Sequence, residues 1–537
     1  MFNMYKSIQN SLLGLYCNDA NFIRELNEVQ QYYDFYEGRI FTGEEEDLKD
    51  KRGQCWPVQD RDYKPTREIR NITKKLMKKQ GRFMTSVPPT LNLSAINVID
   101  RERIDAKRAV IEEILDKAQF WNKFQKAFMD CTIGKRVLLT IITDVDEKGR
   151  PLSDNPLRFR FYTMPEFTYE FDPNDCDKLM RVQIAYQDDE TVGKIQQEQR
   201  WHKWTYEMRD DGYCWCIYEV VDGTNTVAFI EVMANPLMNN ETEEIKEQVE
   251  LRKEWNTGFT QLPCKVIFND GLTGDIRGHS DIKDLMDLAM DYNKTVSDYR
   301  DALRFKMFEQ PVFVDCDSSS IENIKIAPNS LIDLKSDPAL GDGTGANSTA
   351  SYGMLSSTFN FSAAADSYLT RLKQDMYELM EQPMPEQLVN VPSGKALKMI
   401  YYDLITRCEE KWAEWDEALK WLVRIIEEAV VTFHLYQDLQ DIETITIPTT
   451  IVWNHNYPIP DDEVDTKTVA IAEVEAGVRS VKSYIEEFSD KEDAEAEFQA
   501  ILDEKSSINE ANNADLGLNN ASLENNKNNN NNNQEEE

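Results

Sequence analysis

Residues 263–314, PCKVIFNDGLTGDIRGHSDIKDLMDLAMDYNKTVSDYRDALRFKMFEQPVFV, constrain the fold more than any other part of the chain. They read as an apolar strand, a loop punctuated by Gly271, Gly274 and Gly278, one long helix and a second apolar strand. Within the helix Ile282, Leu285, Ala289, Tyr292, Val296, Tyr299 and Leu303 recur with gaps that alternate between three and four. That is a seam of period about 3.5, suited to packing along a neighbouring helix over its whole length. Ser280 stands where an N-cap belongs, and Asp281 and Asp284 fall in the first turn, where the helix dipole favours anions. Gln310-Pro311 stops the helix.

Upstream, Phe22, Ile23, Leu26, Val29, Tyr33 and Tyr36 share one face of a helix over 19–37, with Gly38 as its stop. Residues 66–84 predict a second helix, with Ile69, Ile72, Leu76 and Phe83 on one face and Arg67, Arg70, Lys74, Lys75, Lys78, Lys79 and Arg82 around the rest. In so acidic a chain, such a basic helix either docks an acidic partner or DNA, or pairs with acidic surface of its own chain or of a neighbouring subunit. Arg67, Arg70, Lys74, Lys78 and Arg82 are the docking candidates. A third helix is expected over 101–130. From 135 to 268 the pattern changes to β-branched and aromatic runs at 136–144, 158–162, 167–171, 181–186, 201–208, 214–221 and 227–232. These predict a largely antiparallel β region, interrupted by a polar, flexible stretch over 239–254.

Beyond the long helix, 336–361 is rich in Gly, Ser, Thr and Asn and reads as a mobile loop. A helix over 363–380 follows, with Tyr368, Leu372, Met376 and Leu379 on one face. Pro383-Met384-Pro385 and Pro392-Ser393-Gly394 bound a short loop, after which 395–435 reads as a single helix about 60 Å long. Residues 444–453 read as a strand completing the β region, and 461–504 as a compact helical piece. The Asn- and Glu-rich sequence from 506 onward cannot bury enough apolar surface to order itself.

Sixty Lys and Arg against 97 Asp and Glu leave a formal net charge of −37 across 537 residues. Tight, sequence-independent gripping of nucleic acid needs clustered cations, so this balance argues against it, yet it suits a conduit whose wall must not trap phosphates. Nine scattered cysteines do not read as a secreted disulfide framework, and neither a signal peptide nor a membrane span is expected. Four histidines supply no HExxH pair; Cys214, Cys216 and His202 make an incomplete ligand set, better read as ordinary buried residues. Ser393-Gly394-Lys395 echoes the end of a phosphate loop, but Val389 stands where that loop needs Gly. The expectation is a protein that is not an enzyme, with no catalytic residue, metal or cofactor.

Residues 263–314, together with 382–398 (QPMPEQLVNVPSGKALK), resemble the portal proteins of tailed bacteriophages, ring-shaped channels through which genomic DNA enters and leaves the capsid. Support comes from Tyr32-Tyr33 with Gly38 and from 162–173 (YTMPEFTYEFDP). The resemblance implies an α+β portal fold: N-terminal helices and an α/β wing (1–278), a stem helix (279–308), a clip (309–362) and a second stem helix (363–381). A tunnel loop (382–394), a long helix with a return strand of the wing (395–458), a helical crown (459–505) and a disordered tail (506–537) follow. It implies a homododecameric ring at the portal vertex of the virion, made in the host cytoplasm and involving no membrane. Its implied partners are double-stranded DNA, terminase, a neck or tail adaptor, and the major capsid and scaffolding proteins. On this reading Ile282, Leu285, Ala289, Tyr292, Val296, Tyr299 and Leu303 pack the stem, while Met384, Glu386, Leu388, Val389 and Val391 face DNA. Lys395 and Lys398 are either cations near the bore or partners of Glu381 and Glu386. Another head or neck connector, or an acidic cytoplasmic scaffold without a channel, is the alternative.

Overall fold

The structure, a computed structural model, describes residues 20–39, 66–96, 101–144, 152–153, 155–223, 227, 229–233, 246–271, 275–307, 310–314, 351–355, 360–389, 394–436, 442–459, 463–488 and 496–506. The chain divides into two compact units, one of residues 1–387 and 401–458, the other of residues 388–400 and 459–537. Most of the expected clip loop and nearly all of the tail lie outside the described residues.

The first unit mixes helices and antiparallel sheets, as the α+β expectation requires. Its helical part begins with α1 (Ala20–Glu37) and α2 (Ile72–Thr85). Strand β1 (Thr90–Ala95), α3 (Arg101–Lys117) and α4 (Phe120–Gly134) follow. The single helix expected over 101–130 is therefore two, separated at Gln119, which is left-handed with φ 51. The break re-aims the second helix so that Phe120, Phe124 and Phe128 enter one aromatic core with Phe159, Trp412 and Trp415.

Strands β2 (Arg136–Thr143) and β3 (Leu157–Thr163) pair with β11 (Cys264–Phe268) in the order β11-β2-β3. The first six residues of β2 are all buried, as expected of a central strand covered on both faces. Strands β4 (Phe167–Asp172), β5 (Asp175–Gln187), β6 (Trp201–Met208), β7 (Cys214–Val221) and β10 (Arg252–Asn256) form a five-stranded sheet, β10-β7-β6-β5-β4. A further hairpin pairs β8 (Phe229–Met233) with β9 (Lys246–Glu250). The stretch expected to be polar and flexible over 239–254 thus contains β9 and the start of β10. Every residue of β10 is exposed, and it is held by charge, with Arg252 3.4 Å from Glu219 and Arg209 2.6 Å from Glu254. A charged edge strand lacks the alternation that marks a half-buried one.

Helix α5 (Asp281–Met307) leads into β12 (Gln310–Val314), which pairs with β13 (Ser351–Leu355), so the loop expected over 336–361 includes a strand. Helix α6 (Ser362–Leu379) follows; next in chain order come α7 (Gly394–Ile400), which belongs to the second unit, and, in the first, α8 (Tyr402–Thr432), the short α9 (Ile442–Ile445) and β14 (Thr449–Asn454). Where one rod is predicted, Tyr401 interrupts the helix. Its ring stacks on Phe83 at 5.2 Å and lies 5.6 Å from the Lys79 amine, a position that a continuous helix need not supply. The 31 residues of α8 span about 46 Å. Strand β14 does not return to the β region; it pairs with β1, whose TLNLSA alternation was the available but unused signal.

In the second unit α10 (Glu463–Glu475) turns through Gly477, φ 71, into α11 (Val481–Phe488). Arg479 in that turn contacts Glu487 and lies 5.6 Å over the Phe488 ring.

His455, just past β14, joins two carboxylates of α8: Nδ1 lies 2.8 Å from Glu409 and Nε2 3.0 Å from Asp416, with the ring stacked on Trp412 at 4.5 Å. Tyr457 donates to the same Glu409 at 2.6 Å. Burial pushes the imidazole pKa down, but hydrogen bonds to Asp416 and Glu409 outweigh it and hold the value above the ordinary one. A raised folded-state pKa stabilises fully below the unfolded value of about 6.5, and the contribution is lost as pH rises through the folded value. His455→Gln should flatten that loss in denaturant unfolding measured on either side of neutrality; parallel profiles for both proteins would contradict it.

Candidate functional site

The loop before α5 reaches a buried carboxylate. Asp281 Oδ1 accepts from Lys411 Nζ and from Asn269 Nδ2, both at 2.9 Å, and Oδ2 accepts from Gln80 Nε2 at 3.1 Å. Arg407 stands 3.6 Å away, and Lys411 also donates to Asn269 Oδ1 at 2.9 Å. Burial would raise the Asp281 carboxyl pKa, but Lys411, Arg407 and Asn269 together hold it below its ordinary value. One side chain thereby joins α2, the turn after β11, the start of α5 and α8. Ser280 caps the helix as expected, accepting from the Ile282 N–H at 3.3 Å while its hydroxyl donates to Ile133 O at 2.7 Å. Gly278 makes the approach possible: its φ is 73, and a Cβ there would lie 2.4 Å from Lys135 O.

Of the seam, Ile282, Leu285, Ala289, Tyr292 and Val296 are buried in one cluster with Leu26, Val29, Tyr32 and Tyr33 of α1, Leu76 and Met77 of α2, and Leu372, Met376 and Tyr377 of α6. Toward the C-terminal end the seam leaves this core. Tyr299 is half-buried with its ring 6.4 Å from Phe361, and Leu303 is 39% exposed.

A second face of α5, missed by the sequence reading, carries Asn293, Ser297 and Asp301. They accept in turn from the backbone N–H of Arg70 (2.7 Å), Glu68 (3.0 Å) and Thr66 (2.8 Å). Two extended residues advance about 6.6 Å and four helical ones about 6 Å, so an extended backbone and an i, i+4, i+8 row stay in step. The basic helix therefore starts later than predicted. Residues 66–70 are extended along α5, and α2 begins at Ile72 behind Asn71, whose side chain accepts from Lys74 N at 2.9 Å. Arg67 and Arg70 are consequently not helical. Arg70 is held above its ordinary range first by a hydrogen bond to Tyr292, then by Glu68. Lys74 pairs with Glu37 at 3.0 Å, whereas Lys78 and Arg82 are exposed and line a cleft of about 350 Å³ with Lys126 and Asp130.

Lys79 of α2 anchors the loop after α6 instead. Its amine donates to Pro383 O at 3.1 Å, and Gln382 Nε2 donates to Leu76 O at 2.8 Å. Met384 packs half-buried on the α5–α6 core, while Gln387 accepts from Met384 N at 3.0 Å through Oε1 and returns its own N–H to Met384 O. Glu386 is exposed, 3.6 Å from Lys373; Leu388 is half-buried, and Val389 is 66% exposed. Lys398 is exposed on α7, whereas Val391 and the Lys395 side chain lie outside the described residues. Neither Cys214 nor Cys216 is exposed; burial pushes both thiols up to about 12, and His202 bonds the Tyr218 hydroxyl at 2.7 Å.

The sequence model of the family described as phage portal protein, SPP1 Gp6-like, matches residues 18–511. The chain belongs to that family. No curated protein matches it. The portal match spans the long helix, the loop after α6 and every helix of the Asp281 hub.

Asp281→Asn leaves Lys411 buried without its counter-charge and should cost about 3 kcal/mol in denaturant unfolding; a loss below about 1 kcal/mol would mean that the hub is not the constraint assigned to it. Gly278→Ala should destabilise by more than about 1 kcal/mol, because a Cβ meets backbone there and no side chain can yield; unchanged stability would contradict that clash.

Proposed function

We propose that copies of this chain close into a ring at the capsid vertex, forming the channel through which double-stranded DNA is packaged and ejected. The match to the portal family over residues 18–511 carries this reading. In a cyclic ring one heterologous interface repeats around the axis, so each subunit must offer two different surfaces. The C-terminal end of α5, where Leu303 is 39% and Met307 77% exposed, supports one of them, because large apolar side chains there are left open among the described residues.

On this proposal the loop after α6 is the tunnel loop. Its root is fixed by Gln382 and Lys79, and Val389, an exposed apolar side chain, can touch DNA without a charge that would hold phosphate. The chain acts as a virion component without catalysis, and terminase, neck or tail adaptors and capsid proteins dock on the ring. Among the described residues no helix is long and apolar enough to cross a membrane.

Electron microscopy of the purified protein should show rings with a central hole, near twelve times 62.4 kDa, about 750 kDa, for a dodecamer. Monodisperse single copies without a hole would overturn the proposal. Aspartate at Leu388 and Val389 should leave rings intact and lower the DNA retained in filled capsids; loss of rings would remove this loop from the bore.

A further inference from the structure

Around α4 and β3 lies a cleft of about 560 Å³, lined by Lys123 and Lys126 from the helix and by Arg158, Phe159, Arg160 and Phe161 from the strand. In a chain of net charge −37, four cations, Lys123, Lys126, Arg158 and Arg160, converge on this one concavity. The topology supplies a second, independent observation: β3 ends its sheet, β2 lying on one side and no described strand on the other. Its free edge faces the cleft. One edge carbonyl, Phe159 O, accepts a lone donor from Lys123 Nζ at 3.1 Å, and the Thr163 N–H is closed off by Glu166 at 2.7 Å.

We propose that this edge is a docking site for an extended, acid-rich segment of a partner protein, which adds to the sheet beside β3. An added strand supplies the alternating N–H and C=O groups that an edge lacks. Arg158 and Arg160 lie two residues apart on one face, about 6.6 Å along the strand, which is the spacing of alternate side chains on an incoming strand. Carboxylates at every second position therefore meet both guanidinium groups. Arg160 is already positioned by the Tyr162 ring, 4.8 Å away, whereas Arg158, itself exposed, is held only by the half-buried Asp144 at 3.4 Å, a partly solvated pair that contributes little. Phe159 and Phe161 turn to the other face and pack on Phe120 at 5.4 and 5.8 Å, so apolar residues belong at the intervening positions. Lys126, exposed at the rim and without an ion-pair partner among the described residues, adds a further anchor. Nucleic acid fits less well. A phosphodiester chain has no N–H donors for the edge carbonyls.

The test uses the full chain and a fluorescein-labelled decapeptide alternating Glu and Val, with binding read by fluorescence anisotropy. Arg158→Glu and Arg160→Glu should each weaken binding at least tenfold, while Lys253→Glu, the same charge change on the exposed strand β10, should leave it unchanged. Methylating alternate backbone nitrogens on one edge of the peptide should also weaken binding to the wild-type protein at least tenfold, a comparison that needs no variant to fold. Absence of peptide binding would overturn the proposal, as would equal binding of the methylated peptide, which would show capture by charge alone. Tighter binding of ten-nucleotide oligothymidylate, with the same arginine dependence, would assign the cleft to nucleic acid and overturn it too.

Discussion

The buried Asp281 carboxylate is the point on which the helical part of the first unit depends. An ion taken out of water costs several kcal/mol unless donors replace its hydration, and here the donors come from Lys411, Asn269 and Gln80, with Arg407 nearby. Each belongs to a different part of the chain, apart from the two on α8. An apolar contact would let a helix slide while remaining buried; a carboxylate with three fixed donors does not. Asp281 also opens the first turn of α5, where the unsatisfied N–H groups favour negative charge. The same residue thus sets where the helix starts and which neighbours it meets.

From that fixed start α5 acts as a common axis with two faces. Ile282 to Val296 of the seam hold α1, α2 and α6 through apolar burial, which specifies proximity more strongly than register. Asn293, Ser297 and Asp301 supply the register, since each pairs with one backbone N–H of residues 66–70. The extended segment ends at Asn71, which caps α2, and α2 then sends Gln80 to Asp281 and Lys79 to the root of the loop after α6. The circuit closes: the orientation of α2, the start of α5 and the loop root are consequences of one set of polar contacts.

These facts explain which parts of the fold were legible in the sequence. The seam from Ile282 to Val296 was readable because apolar spacing directly encodes a helix face, and β6 and β7 coincide with their predicted bounds because alternation encodes a half-buried strand. The breaks at Gln119 and Tyr401 were not readable. Neither position carries Gly or Pro, and each is fixed by what its neighbourhood packs against: the aromatic core in one case, Phe83 in the other. Strand β10 escaped because its neighbours are charges, and the row Asn293, Ser297, Asp301 because polar residues on a helix ordinarily face solvent. The basic residues of 67–82 were visible as a group, but their division into paired and exposed members depends on Glu37, Glu68 and Pro383, which distance along the chain conceals.

The excess of 97 carboxylates over 60 cations makes the placement of the cations an argument about selectivity. Arg136 is buried against Glu25 at 2.8 Å, Lys107 donates to Ile447 O at 2.7 Å, and Lys411 belongs to the Asp281 hub, so none of these three can meet a polyanion from solvent. Those lining the α4–β3 cleft stay accessible within an acidic chain. Repulsion between exposed charges decays over about 8–10 Å at physiological salt, so an approaching polyanion feels many carboxylates before it feels four cations. A short segment carrying a few carboxylates in strand geometry feels mainly the cleft. Net charge and local charge therefore oppose each other here, and the opposition favours a ligand recognised at close range by backbone pairing over one drawn in by long-range attraction.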